Sequence, residues 1–318
     1  MFGIKTKIKR VLAHLVYLQE FAPTGGKSLV QLDCNKKYRI SLPTYDGSGQ
    51  SVHPDIFFDE SVQRFVMAYT PYPHTNDKFE NPCIALSDDG IRFYEERAGI
   101  NPLVPAPQKD HNDDPDISLR GGTYTLLYLE TLRPERQNLV ALQSRDRLSW
   151  AKRILHTEPF DGGGERFMLS PSVLYHGAKC YCYYVNRNYA EGHRLCVVSG
   201  GSVDSLDFSH PAPVQVNGLP PEVWPWHVDV IHCADADESM LMFFSSVKKT
   251  SGKSGEYNLY VAKSNDLYTW NVNPRPLIKN CYRSSGFVRD DFLYVYFSSN
   301  YYADEWTTAL LKIPLDSI

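Results

Sequence analysis

Hydrophobic and polar positions alternate along most of this 318-residue chain, and the alternation recurs in similar blocks. The segments "VHPDIFF" (52–58), "DDPDISL" (113–119), "LSPSVLY" (169–175), "WHVDVIH" (226–232) and "SSGFVRD" (284–290) align with one another at spacings of 56–61 residues. Each is followed by a turn and an aromatic-rich run: "RFVMAYT", "TYTLLYLE", "KCYCYYV", "MLMFFSS" and "FLYVYFSS". Their period of two is that of half-buried strands. A third alternating run follows, and in four copies a polar turn leads to a short fourth strand carrying Phe93, Trp150, Phe208 or Trp270. A single four-stranded sheet cannot bury both faces, so five such units must stack around an axis. The pattern therefore predicts an all-β fold, a five-bladed β-propeller over 36–318, behind an N-terminal extension at 1–35. The fifth unit is short, and "KKYRISLP" (36–43) is placed to supply its missing outer strand. The stretches "NPLVPAPQ" (101–108), "DGGGE" (161–165) and "NGLPPEVWPW" (217–226) precede inner strands, where loops cross a rim toward the axis.

Inner strands bring side chains together at that axis. One position before the apolar anchors (Ile56, Ile117, Val173, Val230, Val288) stand Asp55, Asp116, Ser172, Asp229 and Phe287. Three positions before them stand His53, Asp114, Ser170, His227 and Ser285, and five before adds Arg283. Positions one, three and five back share a strand face. Like charges gathered in a narrow channel raise one another's pKa and cost stability unless cations, protons or ligands compensate, which marks the axis as the expected site. A carboxylate that stays ionised serves as base, and one pushed upward serves as acid. Glu165 and Glu222 in the entry loops are further acids, and Trp224, Trp226 and Tyr175 offer flat platforms for a sugar face. His53 and His227 with Asp55, Asp114 or Asp229 would also make a divalent-metal set, but their spacing is that of whole blades rather than a local motif. No metal or cofactor is assigned on that basis.

Composition narrows the picture only a little. A formal net charge of −4 gives no sign of a nucleic-acid binder. Twenty-one tyrosines suit strands and polar binding surfaces. Seven cysteines without a CxxC pair favour a reducing compartment, with Cys180 and Cys182 as core thiols. The opening "MFGIKTKIKRVLAHLVYLQEF" lacks the cleavage pattern of a signal peptide and reads as a short basic helix or leading strand, with membrane-surface contact as a weaker use. A cytoplasmic location is expected, and no run is apolar enough to span a bilayer.

The repeat "DPDI…GGTYTLLY…LVALQSRDRLSW" resembles five-bladed propeller glycoside hydrolases of the arabinanase and β-xylosidase type, related to invertase and levansucrase. The resemblance covers about 36–318. It implies three axial carboxylates: a base in the first blade's Asp-Pro, a pKa-tuning Asp in the third blade, and an acid Glu before the fourth. This chain departs at those places. The first blade reads His53-Pro54 with Asp55 following, the third reads Ser170-Pro171, and the fourth reads Trp226-His227-Val228-Asp229 with Glu222 upstream. Only Asp114-Pro115 keeps the dipeptide. The expected function is a glycoside hydrolase or related glycan-processing enzyme acting on a poly- or oligosaccharide. Asp55 or Asp229 would be the base and Glu222 or Glu165 the acid. His53, His227, Asp114, Asp116, Arg283, Trp224 and Trp226 would bind the sugar, an acidic one included. The alternatives are a non-catalytic carbohydrate-binding propeller and a phosphorylase or transferase, in which Arg283 and the histidines would hold an anion.

Overall fold

The computed structural model describes residues 20–160, 166–188, 191–233, 239–249, 257–302 and 305–318. Their strands form five sheets that follow one another around a ring. Blade 1 has strands Ser51–Asp59, Arg64–Pro71 and Cys83–Ser87. Blade 2 has His111–Arg120, Thr123–Leu132, Arg136–Ser144 and Ala151–Pro159. Blade 3 has Arg166–His176, Lys179–Asn188, Arg194–Gly200 and Ala212–Pro213. Blade 4 runs Val223–His232, Met240–Lys248, Asn258–Ser264 and Thr269–Val272, with Gln215–Asn217 at its outer edge. Blade 5 runs Ser284–Arg289, Phe292–Tyr302 and Glu305–Pro314.

The ring is closed as the pattern predicts. Lys37–Ile40 pairs antiparallel with Glu305–Pro314, Tyr38 lying opposite Leu310, so a strand from before blade 1 completes blade 5. Phe21–Ala22 adds to its outer side. The expected fourth strands are less regular. Trp270 sits within one, whereas Trp150 and Phe208 precede theirs, and Phe93 adjoins an isolated bridge between Leu86 and Tyr94. The polar turn before each of these is tied by a serine or aspartate to backbone N–H groups, such as Asp146 accepting from Leu148 and Ser149, and that local bonding competes with the ladder.

Packing confirms closure independently. Five apolar clusters fill the five gaps between neighbouring blades. The gap between blades 5 and 1 joins Tyr38, Tyr294, Tyr296 and Leu310 to Ile56, Met67 and Tyr69. Among the described residues each apolar cluster lies between two sheets, so each sheet buries its two faces against its neighbours and leaves its inner edge to polar side chains. Gly286 permits one tight approach at that edge, since a Cβ there would stand 2.3 Å from the Tyr294 carbonyl oxygen. Cys180 and Cys182 are buried in the gap between blades 2 and 3, as expected of core thiols. No helix among the described residues is long and apolar enough to cross a membrane. The basic opening segment lies outside the described residues, apart from its last two positions.

Candidate active site

The inner strands of blades 1 to 4 each carry a β-bulge, between Val52 and Asp55, Asp113 and Asp116, Leu169 and Ser172, and Pro225 and His227. His53, Asp114 and Ser170 stand in the bulges with φ of 51–55°, each held there ahead of a proline. A bulge inserts one residue and re-aims the side chains around it. The two aligned registers form two tiers along the axis. His53, Asp114 and His227 form one, with ligand atoms within 4.8 Å of one another, and Asp55, Asp116 and Asp229 form the other. Blade 5 has no bulge in its inner strand. Its side chains stand two positions from the counted register: Arg283, five back, reaches the first tier, while Ser285, three back, donates to Asp55 in the second.

In the first tier, the upper one here, Asp114 is the hub. Its Oδ1 lies 3.3 Å from His53 Nε2, 3.3 Å from His227 Nδ1 and 3.1 Å from an Arg283 guanidinium nitrogen. Its Oδ2 accepts the Ser170 backbone N–H at 2.7 Å. Burial alone would raise the Asp114 pKa, but His227, His53 and Arg283 reverse the sign and hold it well below the usual carboxylate range. His53 Nδ1 lies 3.0 Å from the Thr70 hydroxyl oxygen and 3.5 Å from a Glu80 carboxyl oxygen. With the ring proton on Nδ1 and donated to the Thr70 hydroxyl, Nε2 turns a lone pair toward the axis. Burial pushes the His53 pKa well below its ordinary value, so the ring is neutral at pH 7. His53 Nε2 and both ring nitrogens of His227 have no hydrogen-bond partner among the described residues, although both side chains are 3% exposed.

This tier opens to a cavity of about 140 Å³, walled by Trp226, Tyr72 and Tyr282 and edged by Glu80, His111 and Asp113. Tyr282 packs against both histidines, with ring centroids 5.4 Å from His53 and 4.6 Å from His227. Burial drives Glu80 well above the usual range, repulsion from Asp113, Asp114 and Asp77 adds to this, and His111 opposes it. Glu80 Oε2 accepts no hydrogen bond. One carboxyl displaced upward thus stands beside one displaced downward, with His53 between them.

The sequence-derived candidates distribute themselves unevenly over this geometry. His53, Asp114, His227 and Arg283 come together in the upper tier, and Trp226 forms a wall of its cavity. Asp55, Asp116 and Asp229 line a separate bowl of about 380 Å³ at the other mouth, with Tyr175. Trp224 stacks on His193, with centroids 4.7 Å apart. Glu222 is exposed, at the rim position where its carbonyl oxygen accepts from Lys249. Glu165 lies outside the described residues. Glu80, His111 and Asp113 were not singled out from the sequence. Glu80 arrives on a loop within blade 1, which no inner-strand register contains. The charged run Asp110-His111-Asn112-Asp113-Asp114 was the signal available for the other two.

Comparison with known proteins sets this geometry in context. No family model matches the chain. The A type blood N-acetyl-alpha-D-galactosamine deacetylase of Flavonifractor plautii is 25% identical over 301 residues, covering 80% of this chain. The chain spans 38% of the length of that curated relative. The crystal structure of an N-acetylgalactosamine deacetylase from F. plautii, in complex with blood group B trisaccharide, superposes with a TM-score of 0.71 at 18% identity, covering 86% of this chain and 93% of that one. The endo-arabinase of Bacteroides thetaiotaomicron gives a TM-score of 0.59 at 15% identity, covering 86% and 96%. The fold is thus the five-bladed propeller that the arabinanase-type hydrolases use, as the sequence resemblance implied.

Proposed function

We propose that this protein is a carbohydrate-directed hydrolase that removes the N-acetyl group of an amino sugar at the upper mouth, using a divalent metal held by His53, Asp114 and His227. The observation that carries the reading is the convergence of buried imidazole nitrogens lacking partners on one ionised carboxylate. The residues fit a metal: nitrogen and oxygen ligands at about 2.0–2.2 Å in a tetrahedral set stand roughly 3.3–3.6 Å apart, and Asp114 Oδ1 lies 3.3 Å from a ring nitrogen of each histidine. Thr70 on the far nitrogen of His53 is the orienting partner such a ligand needs. A metal there polarises an amide carbonyl and makes a nearby water a better nucleophile.

The chain's own groups fit the remaining work. Glu80, kept protonated by burial, is suited to give its proton to the sugar nitrogen as the carbon–nitrogen bond breaks. Trp226, Tyr72 and Tyr282 exclude water and offer apolar walls. The cavity of about 140 Å³ lies between these walls and the His53, His227 and Glu80 side chains, where an acetamido arm would meet them. The name of the F. plautii relative agrees with this chemistry.

A second reading, glycoside hydrolysis, is favoured by the opposite displacement of Glu80 and Asp114, the acid and base pattern of such enzymes. One assay separates the two. The protein is incubated with oligosaccharides ending in N-acetylgalactosamine or N-acetylglucosamine, and both acetate and new reducing ends are measured. Acetate release that EDTA abolishes and manganese or zinc restores, and that falls at least a hundredfold in H227A and E80Q, is expected. New reducing ends without acetate would establish the second reading instead, and neither product would reject both.

A further inference from the structure

The lower tier poses its own demand for a ligand, separate from the reaction above. Asp55, Asp116 and Asp229 come from blades 1, 2 and 4 and are at most 5% exposed. Their hydrogen bonds are too few for three carboxylates. Asp55 accepts the Ile117 N–H and the Ser285 hydroxyl, the latter at 2.7 Å. Asp116 shares one N–H, that of Val173, between its two oxygens at 3.3 and 3.2 Å. Asp229 Oδ1 accepts the Ser172 hydroxyl at 2.9 Å. Each serine hydroxyl has a single proton, already given, and each also accepts a backbone N–H, from Ile56 and from Val230. Asp229 Oδ2 is therefore buried without a donor, on a residue that lines the lower bowl. Arg283 does not make up the deficit, because its bonded nitrogen goes to Asp114 and its other two have no partner.

We propose that these three aspartates bind a hard divalent cation, calcium by its size, which ties the inner strands of blades 1, 2 and 4 together across the axis. Carboxylate oxygens without imidazole or thiol are the donor set of such an ion. Calcium takes oxygens at about 2.3–2.6 Å, so opposed ligands stand roughly 4.6–5.2 Å apart, and the three oxygens here lie within 4.8 Å of one another. The bowl of about 380 Å³ admits the waters that complete its shell.

The test uses the full chain stripped with EDTA and dialysed against calcium chloride at pH 8, with bound calcium counted and thermal melting followed. Wild type is expected to bind one more calcium per chain than D116N or D229N, and to melt several degrees higher with calcium than without. The variants should show no such shift. In calcium-free buffer D116N should melt at or above wild type, because an amide removes a repelling carboxylate, whereas a purely structural Asp116 would make D116N melt lower in both buffers. H227A should keep the lower-tier calcium, so this outcome is independent of the upper mouth's chemistry. Equal calcium counts in wild type and variants, or a wild-type melting point indifferent to calcium, would overturn the proposal.

Discussion

At His111 three carboxylates decide the charge of one ring. Nδ1 lies 2.6 Å from Asp110 and 3.8 Å from Asp77, and Nε2 lies 3.1 Å from Asp113. Burial would lower the pKa, but Asp113 foremost, then Asp110 and Glu80, push it up to about 11. Asp113, although paired to the same ring, is itself raised, because burial and the charge of Asp114 outweigh that pairing. An unfolded histidine titrates near 6.5. The folded state therefore holds the extra proton between about 6.5 and 11, and the associated stability is complete below pH 6.5 and fades as pH rises through that window. H111N should cost about 3 kcal/mol at pH 6 and clearly less at pH 9.5, as measured by chemical denaturation. Equal deficits at both values would show that the charge contributes nothing. His53, Asp114 and His227 were legible in the sequence because they repeat in register. His111 was not, standing six residues before its anchor where no other blade carries a histidine.

At the level of the strand, counting back from the anchors in blades 1, 2 and 4 recovers the two tiers as the three-back and one-back positions. It fails in blade 5, whose inner strand has no bulge and where Ser285 stands two positions from the register counted for it. The closing strand was easier to read, because the fifth unit visibly lacked a member. Tyr38 tests its importance. Its ring is fully buried between blades 5 and 1, and its hydroxyl accepts the Asp33 backbone N–H at 3.0 Å. Y38A should lower unfolding free energy by about 3–5 kcal/mol, read from denaturant midpoints. A loss below 1 kcal/mol would mean that the strand is not needed for closure.

Over the whole molecule the blade count was fixed by five copies of one period, and the five interblade clusters show why the count matters: each sheet has two neighbours to bury against. The division of the axis into two mouths depends on atoms rather than periods. Arg283 acts on both. It bonds to Asp114, and while burial raises Asp55, Asp116 and Asp229, its charge opposes that rise. R283M should destabilise the protein by about 3–5 kcal/mol at pH 8. Without the guanidinium the folded carboxyls bind protons more readily than the unfolded ones, so the deficit should shrink toward pH 5. Denaturation at the two values measures this, and a deficit that grows on acidification would refute it.

The seam between Lys37–Ile40 and Glu305–Pro314 has a consequence for synthesis. Tyr38 emerges from the ribosome some 270 residues before Leu310, its partner across the ladder. At about 5–20 residues per second that is a wait of roughly 15–55 s. For that interval the buried side chains of Tyr38 and Ile40 have no blade 5 to join, while four blades collapse behind them. The ring therefore closes only when the strand Lys37–Ile40 meets Glu305–Pro314.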